Sequence, residues 1–402
     1  MKIGIDAHFL QHPATGSGQY LLHLLAFLAQ LDRQNTYLLL GSRQPEQSLS
    51  SLLAPISQAP LASAFSYQIA AVPRLLAGNK HLHKLAWEQW MAPAAAQRAG
   101  VDLYHIPYFA PPLLMRTPTV VTIHDVIPLR LAAYRSSARV KTYTALIARA
   151  AARADMIITV SEHARRDIMD ALTLPPERVR VTYEAAGEQY RPVSDPAELA
   201  RVRARYGLSE RYVFYLGGLD QRKNVPQLVR AFARVYRLLG DPNLQLFISG
   251  DPDRQRGPLF PDPRPVAAEL GITRQVLCRF VEEEDKPAVY SAASLFVFPS
   301  LYEGFGLPPL EALACGAPVV CSNRTSLPEV VGDAAITVDP QECEALAEAM
   351  HRVLAHSALQ ADLRVRALEQ AAKFSWRRTA EETLKIYEEI LVQRKIKISR
   401  KM

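Results

Sequence analysis

Two glutamates in the segment FPSLYEGFGLPPLEALACGAPVV have the type and spacing to bind a polar ligand. Glu303 and Glu311 stand eight positions apart, with glycines and prolines between them. An apolar run typical of a buried strand precedes them, and Pro308 or Pro309 fits the first turn of a following helix. Carboxylates near a helix N-terminus could accept hydrogen bonds from sugar hydroxyls. Backbone N–H groups of Gly304–Leu307 could bind phosphate oxygens.

Each glutamate also has a simpler interpretation. We expect Glu311 in the first turn of the helix, where it could merely complement the helix dipole. Glu303, in the loop before that helix, could be a solvated loop residue. Either interpretation is acceptable alone, but together they leave the Gly-Phe-Gly sequence at 304–306 unexplained.

A second candidate site is the segment GGLDQRKNV, which follows an apolar strand-like run. Gly217 and Gly218 would let the backbone approach a ligand, while Arg222 offers a bidentate fork and Lys223 a point charge. Asn224 is a good N-cap for the next helix, whose N-terminus attracts anions. Adjacent basic residues in a loop are commonly just solvated, but this position after a strand predicts a phosphate site.

The N-terminal half carries further candidates. Gly16 and Gly18 abut a helix predicted over 17–31, whose N-terminus could bind an anion, although the loop alone would be an ordinary turn. The first strand is not followed by GxGxxG, which counts against an NAD-dependent oxidoreductase. His124 ends an expected strand, where it would face a ligand or, alternatively, be a buried histidine bonded to backbone.

The formal net charge of +7 restricts the partners. No basic run is interleaved with aromatic residues, so we expect no nucleic acid. The basic end QRKIKISRKM is interpreted as a solvated tail. The segment LRLAAYRSSARVKTY indicates either solubility or peripheral contact with an anionic membrane, through Arg130, Arg135, Arg139 and Lys141.

The same composition suggests a cytoplasmic protein. No run approaches the ~18 apolar residues that a spanning helix needs, and no signal peptide is visible. The four cysteines lack CxxC spacing and stand in apolar surroundings, as expected of buried, reduced thiols. We therefore expect a cytoplasmic chain that could lie at the inner face of the membrane.

Strand-like and helix-like runs alternate along the 402 residues, which predicts the α/β class with parallel sheets. The alternation stops near Tyr183–Asp195, which resembles a linker, and then resumes. We expect two doubly wound, Rossmann-like domains facing across a cleft, and a C-terminal helix that crosses back to the first. The predicted boundaries are 1–188, 189–375 and 376–402. Ten strands are predicted, at 2–6, 36–40, 119–123, 156–160, 212–218, 244–249, 276–280, 295–299, 318–322 and 334–338.

Several motifs, in order, resemble those of retaining glycosyltransferases of family 4, which have the GT-B fold. EGFGLPPLE resembles their E-x7-E motif, GGLDQRKNVPQLVRAF their donor phosphate loop, and FVEEEDKPAVYSAASLFVFPS the segment whose backbone receives the nucleotide base. VSEHARRDI and FSWRRTAEETLKIYEEI are also typical. The resemblance covers nearly the whole chain. The GSGQY and VIPLR segments look like relatives that add mannose or similar hexoses in bacterial surface polysaccharides.

The resemblance implies a role for each matching position. Glu311 would bind the ribose of a nucleotide sugar and Glu303 the transferred hexose, over which His124 would lie. Arg222 and Lys223 would neutralise the diphosphate leaving group. The other donor-binding positions would act mainly through their backbone: Gly16, Gly18, Gly218, Val281, Glu282, Gly304, Phe305, Gly306 and Leu307.

The implied reaction is retaining transfer of a hexose from a nucleotide-diphosphate sugar, with mannose from GDP-mannose as the leading candidate. The acceptor would be a glycan or a lipid-linked glycan in cell-surface polysaccharide or glycolipid synthesis. No DxD-type pair stands at a strand end, so we expect neither a metal nor another cofactor. The turn VTYEAAGEQY departs from the Asn-Gly turn of many relatives, which puts details of the hinge in doubt.

Two other functions fit the same fold. A nucleotide-sugar epimerase would need acid and base residues for ring chemistry, and no further paired carboxylates stand out. A non-catalytic nucleotide-sugar-binding protein would be expected to lose a catalytic position, whereas His124, Arg222, Lys223 and Glu303 are all present.

Overall fold

The computed structural model describes residues 1–54, 56, 64–73, 76, 78–135 and 137–399. The chain divides into two compact units. The first comprises Met1–Glu184 and Ser375–Met402, and the second comprises Ala185–Phe374. Arg400 and Lys401 of the predicted basic tail lie outside the described residues.

The first unit is built on a seven-stranded parallel sheet with the strand order β3-β2-β1-β4-β5-β6-β7. Its strands are β1 (Lys2–Asp6), β2 (Thr36–Gly41), β3 (Phe65–Ile69), β4 (Leu103–Ile106), β5 (Thr119–Thr122), β6 (Met156–Thr159) and β7 (Val179–Val181). Successive strands are added to one side of β1 (β2, β3) and then to the other side (β4 to β7). The strand order therefore switches between the parallel strands β1 and β4, and ligands are expected beyond their carboxyl ends.

Helices accompany this first sheet, and the last helix of the chain packs against the first. A π-helical segment, Trp87–Met91, joins α3 to α4. The helices are α1 (Gly16–Leu31), α2 (Leu49–Leu53), α3 (Lys80–Ala86), α4 (Ala92–Arg98), α5 (Ile127–Arg130), α6 (Ala138–Ala151), α7 (Glu162–Leu172) and, at the C-terminus, Trp376–Ser399.

The second unit contains a six-stranded parallel sheet with the order β10-β9-β8-β11-β12-β13. Its strands are β8 (Tyr212–Leu216), β9 (Gln245–Ser249), β10 (Val276–Cys278), β11 (Leu295–Phe298), β12 (Val319–Ser322) and β13 (Ala335–Val338). In this sheet the strand order switches between the parallel strands β8 and β11. The loops after these two strands therefore flank the expected ligand position.

Eight helices from α8 to α15 belong to the described residues of the second unit, and α16 is the C-terminal helix of the first unit. They are α8 (Pro196–Tyr206), α9 (Val225–Leu239), α10 (Pro263–Glu269), α11 (Lys286–Ala292), α12 (Leu307–Ala314), α13 (Leu327–Val331), α14 (Cys343–Ala355), α15 (Ser357–Ala371) and α16 (Trp376–Ser399).

The central strands are almost wholly apolar because both faces of each sheet are covered. The β11 residues Leu295, Phe296, Val297 and Phe298 have no exposed surface. The predicted α/β class with two doubly wound sheets is confirmed. Among the cysteines, Cys315 and Cys321 are buried, whereas Cys278 and Cys343 are half-buried, and all four are free thiols.

Three strands were not predicted. β3 lies at the edge of its sheet and is partly exposed, so its sequence FSYQI lacks an apolar run. β4, LYHI, is buried but contains a histidine, and β7 has only three residues. The ten predicted strands are present, with ends that differ by at most two residues.

Candidate active site

The loop after β11 is shaped by its glycines and by the helix that follows it. Gly306 has a φ of +125°, a conformation that favours glycine. A Cβ there would lie 2.7 Å from Cδ2 of Leu327, so the position also lacks space for a side chain. α12 begins at Leu307 with a proline in its first turn, as predicted. This geometry fixes the path of the loop that carries Glu303.

Glu303 bridges the two cations predicted to bind phosphate. Lys223 donates from Nζ to Oε1 of Glu303 over 2.6 Å, and Arg222 donates from Nη1 to Oε2 over 2.9 Å. Ser300 also donates to Oε1, over 2.6 Å. Glu303 and Lys223 are each 8% exposed. The loops after β8 and β11 thus meet at one cluster of buried charges.

The β8 loop holds the two cations through its backbone. Gln221–Lys223 forms a 3₁₀ turn, and Leu301 donates its N–H to the carbonyl of Arg222 over 2.7 Å. Asn224 takes the N-cap position, but the prediction of a capping side chain is wrong. Asn224 adopts a left-handed conformation with a φ of 59°, and its amide donates to the Pro340 carbonyl instead.

The charges of this cluster balance one another. Asp220 lies 3.0 Å from Nε of Arg222, so two carboxylates accompany two cations. Burial alone would raise the pKa of Glu303, but Lys223 and Arg222 outweigh burial and lower it below its usual value. Burial lowers the pKa of Lys223, although Glu303 opposes this. The Glu303 carboxylate therefore remains ionised at neutral pH.

Glu311 lies in a different environment. The prediction that it stands in the first turn of the helix is wrong, because α12 begins at Leu307 and Glu311 is the fifth residue. Tyr290 donates to Oε2 of Glu311 over 3.0 Å. Burial raises the pKa of Glu311 to about 7, which Lys286 only partly opposes. A glutamate that resists ionisation is a poor partner for a helix dipole, so the simpler interpretation is disfavoured.

Ser326 sets the orientation of the loop's peptide groups. Its hydroxyl donates to the carbonyls of Glu303 and Phe305, over 3.1 and 2.5 Å. In a trans peptide the carbonyl and the following N–H point in opposite directions. The N–H groups of Gly304 and Gly306 therefore point away from Ser326.

The segment predicted to meet the base uses its amides within the unit. Val281 is buried and donates its N–H to Oγ of Ser249 over 3.3 Å. Glu282, whose side chain is exposed, donates its N–H to Oη of Tyr206 over 3.1 Å. Gly218, after β8, accepts from Oη of Tyr215 over 2.7 Å.

α1 begins at Gly16, one residue before the predicted start at 17, so Gly16 and Gly18 both lie in its first turn. Thr15 caps the helix by accepting the N–H of Gly18 over 3.2 Å. A Cβ on Gly18 would lie 2.3 Å from the His12 carbonyl oxygen, whereas one on Gly16 would meet nothing within 4 Å. Gly18 thus has a packing role, while the space beside Gly16 is open.

His124 follows β5 and pairs with a carboxylate. Its Nδ1 lies 3.1 Å from Oε1 of Glu184, and the Tyr20 ring packs edge-on at 4.9 Å. Burial lowers the pKa of His124, but Glu184 and Asp125 more than offset this, so the pKa is raised. The alternative prediction, a buried histidine bonded only to backbone, therefore does not account for the contact of His124 with Glu184.

Glu184 and Asp6 are buried carboxylates that were not among the predicted site residues. Glu184 is 4% exposed and stands in the segment interpreted as a linker, where its only signal was the departure from the usual turn. Asp6 ends β1 and accepts from Tyr104 and Tyr108 over 3.1 and 2.9 Å. Burial raises the pKa of Asp6 to about 6. A carboxylate at a strand's carboxyl end was the available signal for Asp6.

Among the described residues, no helix is both long and apolar enough to cross a membrane. Within the same part of the chain, no group of three or more His, Cys, Asp or Glu side chains is arranged to hold a metal ion.

Known proteins match almost the full chain. Residues 200–373 match the family described as Glycosyl transferases group 1, and residues 14–185 match Glycosyltransferase Family 4. The O-antigen chain mannosyltransferase B of Escherichia coli is 32% identical over 396 residues, which span 96% of this chain and 99% of that protein.

Solved structures share the fold at lower identity. Sucrose-phosphate synthase from Thermosynechococcus elongatus superposes with a TM-score of 0.73 at 22% identity, covering 98% of this chain and 100% of that one. HepE from Anabaena, in complex with UDP-glucose, gives a TM-score of 0.71 at 18% identity, with coverages of 97% and 100%. The chain therefore belongs to the glycosyl transferases group 1 and is a glycosyltransferase with the GT-B fold.

Proposed function

We propose that the protein transfers a hexose, with mannose from GDP-mannose as the leading candidate, to a glycan or lipid-linked acceptor in cell-surface polysaccharide or glycolipid synthesis. The name of the E. coli relative supports mannose and a surface polysaccharide. The UDP-glucose bound to HepE supports a nucleotide-sugar donor. The observation that carries the proposal is the cluster of Glu303, Lys223 and Arg222 at the ends of β8 and β11.

Lys223 and Arg222 are proposed to stabilise the departing diphosphate. The Lys223 ammonium group has three N–H donors, of which Glu303 accepts one, so others remain to be directed at phosphate oxygens. Breaking the anomeric C–O bond builds negative charge on the β-phosphate, and fixed cations in a buried site stabilise that charge strongly. We propose a metal-independent reaction, because these residues supply the positive charge that a divalent ion otherwise provides.

The loop and helix after β11 are proposed to bind the sugars. Glu303 would accept from hydroxyls of the hexose while retaining its contact with Lys223. Glu311 would accept from the ribose hydroxyls. The N–H group of Gly306, which points away from Ser326, would meet a ligand oxygen. Phe305 and Leu307 would contribute backbone only, as would Gly218 and the carbonyls of Val281 and Glu282.

In the first unit, Gly16 and His124 are proposed to approach the donor. The open space beside Gly16 at the start of α1 suits an anion, since the helix N-terminus carries a partial positive charge. His124 would contact the hexose through its ring. We further propose retention of the anomeric configuration, with the departing phosphate accepting the proton of the acceptor hydroxyl.

Peripheral contact with an anionic membrane is proposed for the face formed by α3 and α6. A depression of about 610 Å³ there is lined mainly by apolar surface, including Leu82 and Val140, which are 48% and 37% exposed. Lys84 and Arg139 also line it. Apolar side chains ringed by cations match the surface of a bilayer that contains anionic lipids.

Vesicle binding tests this contact. The protein should sediment with vesicles that contain phosphatidylglycerol and much less with neutral ones, and Arg139→Glu combined with Lys141→Glu should weaken sedimentation. Equal binding to both kinds of vesicle, or none to either, would contradict the proposed membrane contact without affecting the reaction.

Transfer itself is tested with a panel of nucleotide sugars and a lipid-linked glycan acceptor, with the products identified by mass spectrometry. We expect one hexose to be added to the acceptor, most rapidly from GDP-mannose. An epimerised nucleotide sugar without transfer would support the epimerase instead. Binding of the donor without any reaction would support a non-catalytic protein.

A further inference from the structure

The pairing of His124 with Glu184 connects the end of β5 to the last residue of the N-terminal segment of the first unit, Met1–Glu184. Nδ1 of His124 lies 3.1 Å from Oε1 of Glu184, whose side chain is only 5% exposed. A buried carboxylate without a partner is costly, so this position requires a cation or hydrogen-bond donors. The departure from the usual turn in VTYEAAGEQY thus places an anion directly beside a candidate site residue.

Hydrogen bonds hold the surroundings of the His124 ring in place. Tyr20, whose ring packs against His124, lies with Oη 3.2 Å from Oγ1 of Thr122. Oγ1 of Thr122 lies 2.8 Å from Nε2 of His105. The other ring nitrogen of His105, Nδ1, lies 2.6 Å from Oη of Tyr387 in α16. The ring is therefore confined by α1 on one side and by Glu184 on another.

The charges around the ring favour its protonated form. The titratable groups that face His124 are Glu184 from the chain after β7, Asp125 next to it, Tyr20 from α1 and His105 from β4. Burial lowers the pKa of His105 to about 3, so it stays neutral and adds no repulsion at neutral pH. The two nearby carboxylates are left as the dominant charges.

The second ring nitrogen of His124, Nε2, is buried, whereas the side chain as a whole is 20% exposed. Among the described residues, Nε2 has no well-formed hydrogen bond, although the Pro107 carbonyl lies near enough to favour the protonated ring. A neutral ring that donates from Nδ1 to Glu184 would present a lone pair at Nε2. A protonated ring presents an N–H there instead.

We propose that Glu184 is a positioning residue that orients His124 and keeps it protonated, so that the exposed edge of a cationic ring faces an oxygen of the nucleotide-sugar donor. The role of the donor rests on the proposed function, whereas the pairing itself does not. Glu184 touches His124 and not the reacting atoms, so it acts through the histidine. The ligand group that this arrangement suits is a hydroxyl or phosphate oxygen with an available lone pair.

The pairing is tested by NMR titration of the ligand-free protein with ¹³C-labelled histidine, in which His124→Gln identifies the signal. We expect the pKa of His124 to lie above its ordinary value of 6.5 in the wild type and to fall by about one unit or more in Glu184→Gln. Glu188→Gln, a change at an exposed glutamate in the same segment, should leave it unchanged. An unshifted pKa in folded Glu184→Gln overturns the proposal.

Activity provides the second readout. The upper limb of the pH profile of kcat/KM should move to lower pH in Glu184→Gln, and this shift should vanish when His124→Gln is combined with it. A uniform loss of activity with the same pH profile would show a merely structural role and overturn the proposal. If Glu184→Gln does not fold, a wild-type pKa at or below 6.5 is sufficient to overturn it. A raised pKa without any hexose transfer would count against the proposed function alone.

Discussion

Lys223 and Glu303 form a buried ion pair, with Nζ 2.6 Å from Oε1, in which each residue also touches a second group. Arg222 holds the other carboxylate oxygen, and the Lys223 ammonium lies 4.9 Å from the centre of the Phe298 ring. The residues that the sequence assigned separately to phosphate and to sugar thus form one cluster. A change to any member is expected to alter the others.

Replacing Lys223 by methionine should lower turnover by about 10²–10³-fold, because it removes a fixed cation from the side where the leaving group gains negative charge. Steady-state kinetics with saturating nucleotide sugar measures this loss. Arg254→Met removes an exposed cation of the same unit and should leave turnover within about twofold of the wild type. Full activity of Lys223→Met would place the phosphate site elsewhere.

Replacing Glu303 by alanine should destabilise the second unit, because it leaves Lys223 and Arg222 buried beside each other. Breaking a buried pair costs about 3–5 kcal/mol of the free energy of unfolding. Urea unfolding provides the measurement, and Glu348→Ala, at an exposed position of α14, should change stability by less than about 0.5 kcal/mol.

Added nucleoside diphosphate should partly rescue Glu303→Ala, since its phosphates can replace the carboxylate that Lys223 and Arg222 have lost. The rise in Tm on adding GDP should be larger in Glu303→Ala than in the wild type. A smaller rise in the variant would show that Lys223 and Arg222 do not receive the diphosphate.

Binding of the nucleotide should depend on the ionisation of Glu311. Its pKa is raised to about 7 by burial, so the carboxylate that accepts from both ribose hydroxyls forms only as the pH rises through that value. The affinity for GDP, measured by calorimetry, should therefore increase from pH 6 to pH 8, by up to about tenfold per unit below the pKa. Glu311→Gln should bind more weakly, with most of this dependence removed.

Ionisation of Glu311 should lower the free energy of unfolding when no nucleotide is bound, whereas it should strengthen nucleotide binding. The unfolded chain ionises near 4.5, below the folded pKa, so the contribution of Glu311 is present below pH 4.5 and is lost as the pH rises towards 7. Comparing urea unfolding of the wild type and Glu311→Gln across this window isolates that contribution. A wild-type stability that rises relative to the variant over this range would contradict the raised pKa.

Gly16 and Gly18 should respond differently to alanine. Gly18→Ala brings a Cβ to 2.3 Å from a backbone oxygen, so we expect a lower Tm and disturbed α1. Gly16→Ala meets no atom within 4 Å and should fold normally, but it should raise KM for the donor if phosphate approaches that backbone. An unchanged KM with an unchanged Tm would exclude Gly16 from the donor site.

The sequence predicted those parts of the fold that depend on local patterns. Buried strands such as β8 and β11 are apolar runs, and the glycines and prolines around α12 marked its start within a residue or two. β3 was not predicted because an edge strand needs no apolar run. The position of Glu311 was predicted wrongly because it depends on the residue at which the first hydrogen-bonded turn of α12 begins. Local pattern therefore predicts buried elements better than edges and helix ends.

Long-range pairs were beyond sequence reasoning. Nothing local indicates that Glu303 contacts Lys223, or that Glu184 contacts His124, because both contacts arise only when separate strand ends are brought together by the sheet. The strand order explains the first pair, since β8 and β11 are parallel neighbours at the point where the strand order of the second sheet switches. His124, Lys223 and Glu303 were predicted as site residues, but Glu184 and the contacts between these residues were not.

We propose above that the cluster of Lys223, Arg222 and Glu303 serves hexose transfer from a nucleotide-diphosphate sugar. The most direct measurement is the mass of a lipid-linked acceptor after incubation with GDP-mannose and either the wild type or Lys223→Met, both shown to be folded. We expect addition of one hexose by the wild type and almost none by the variant. Equal transfer by the two proteins would contradict the proposal.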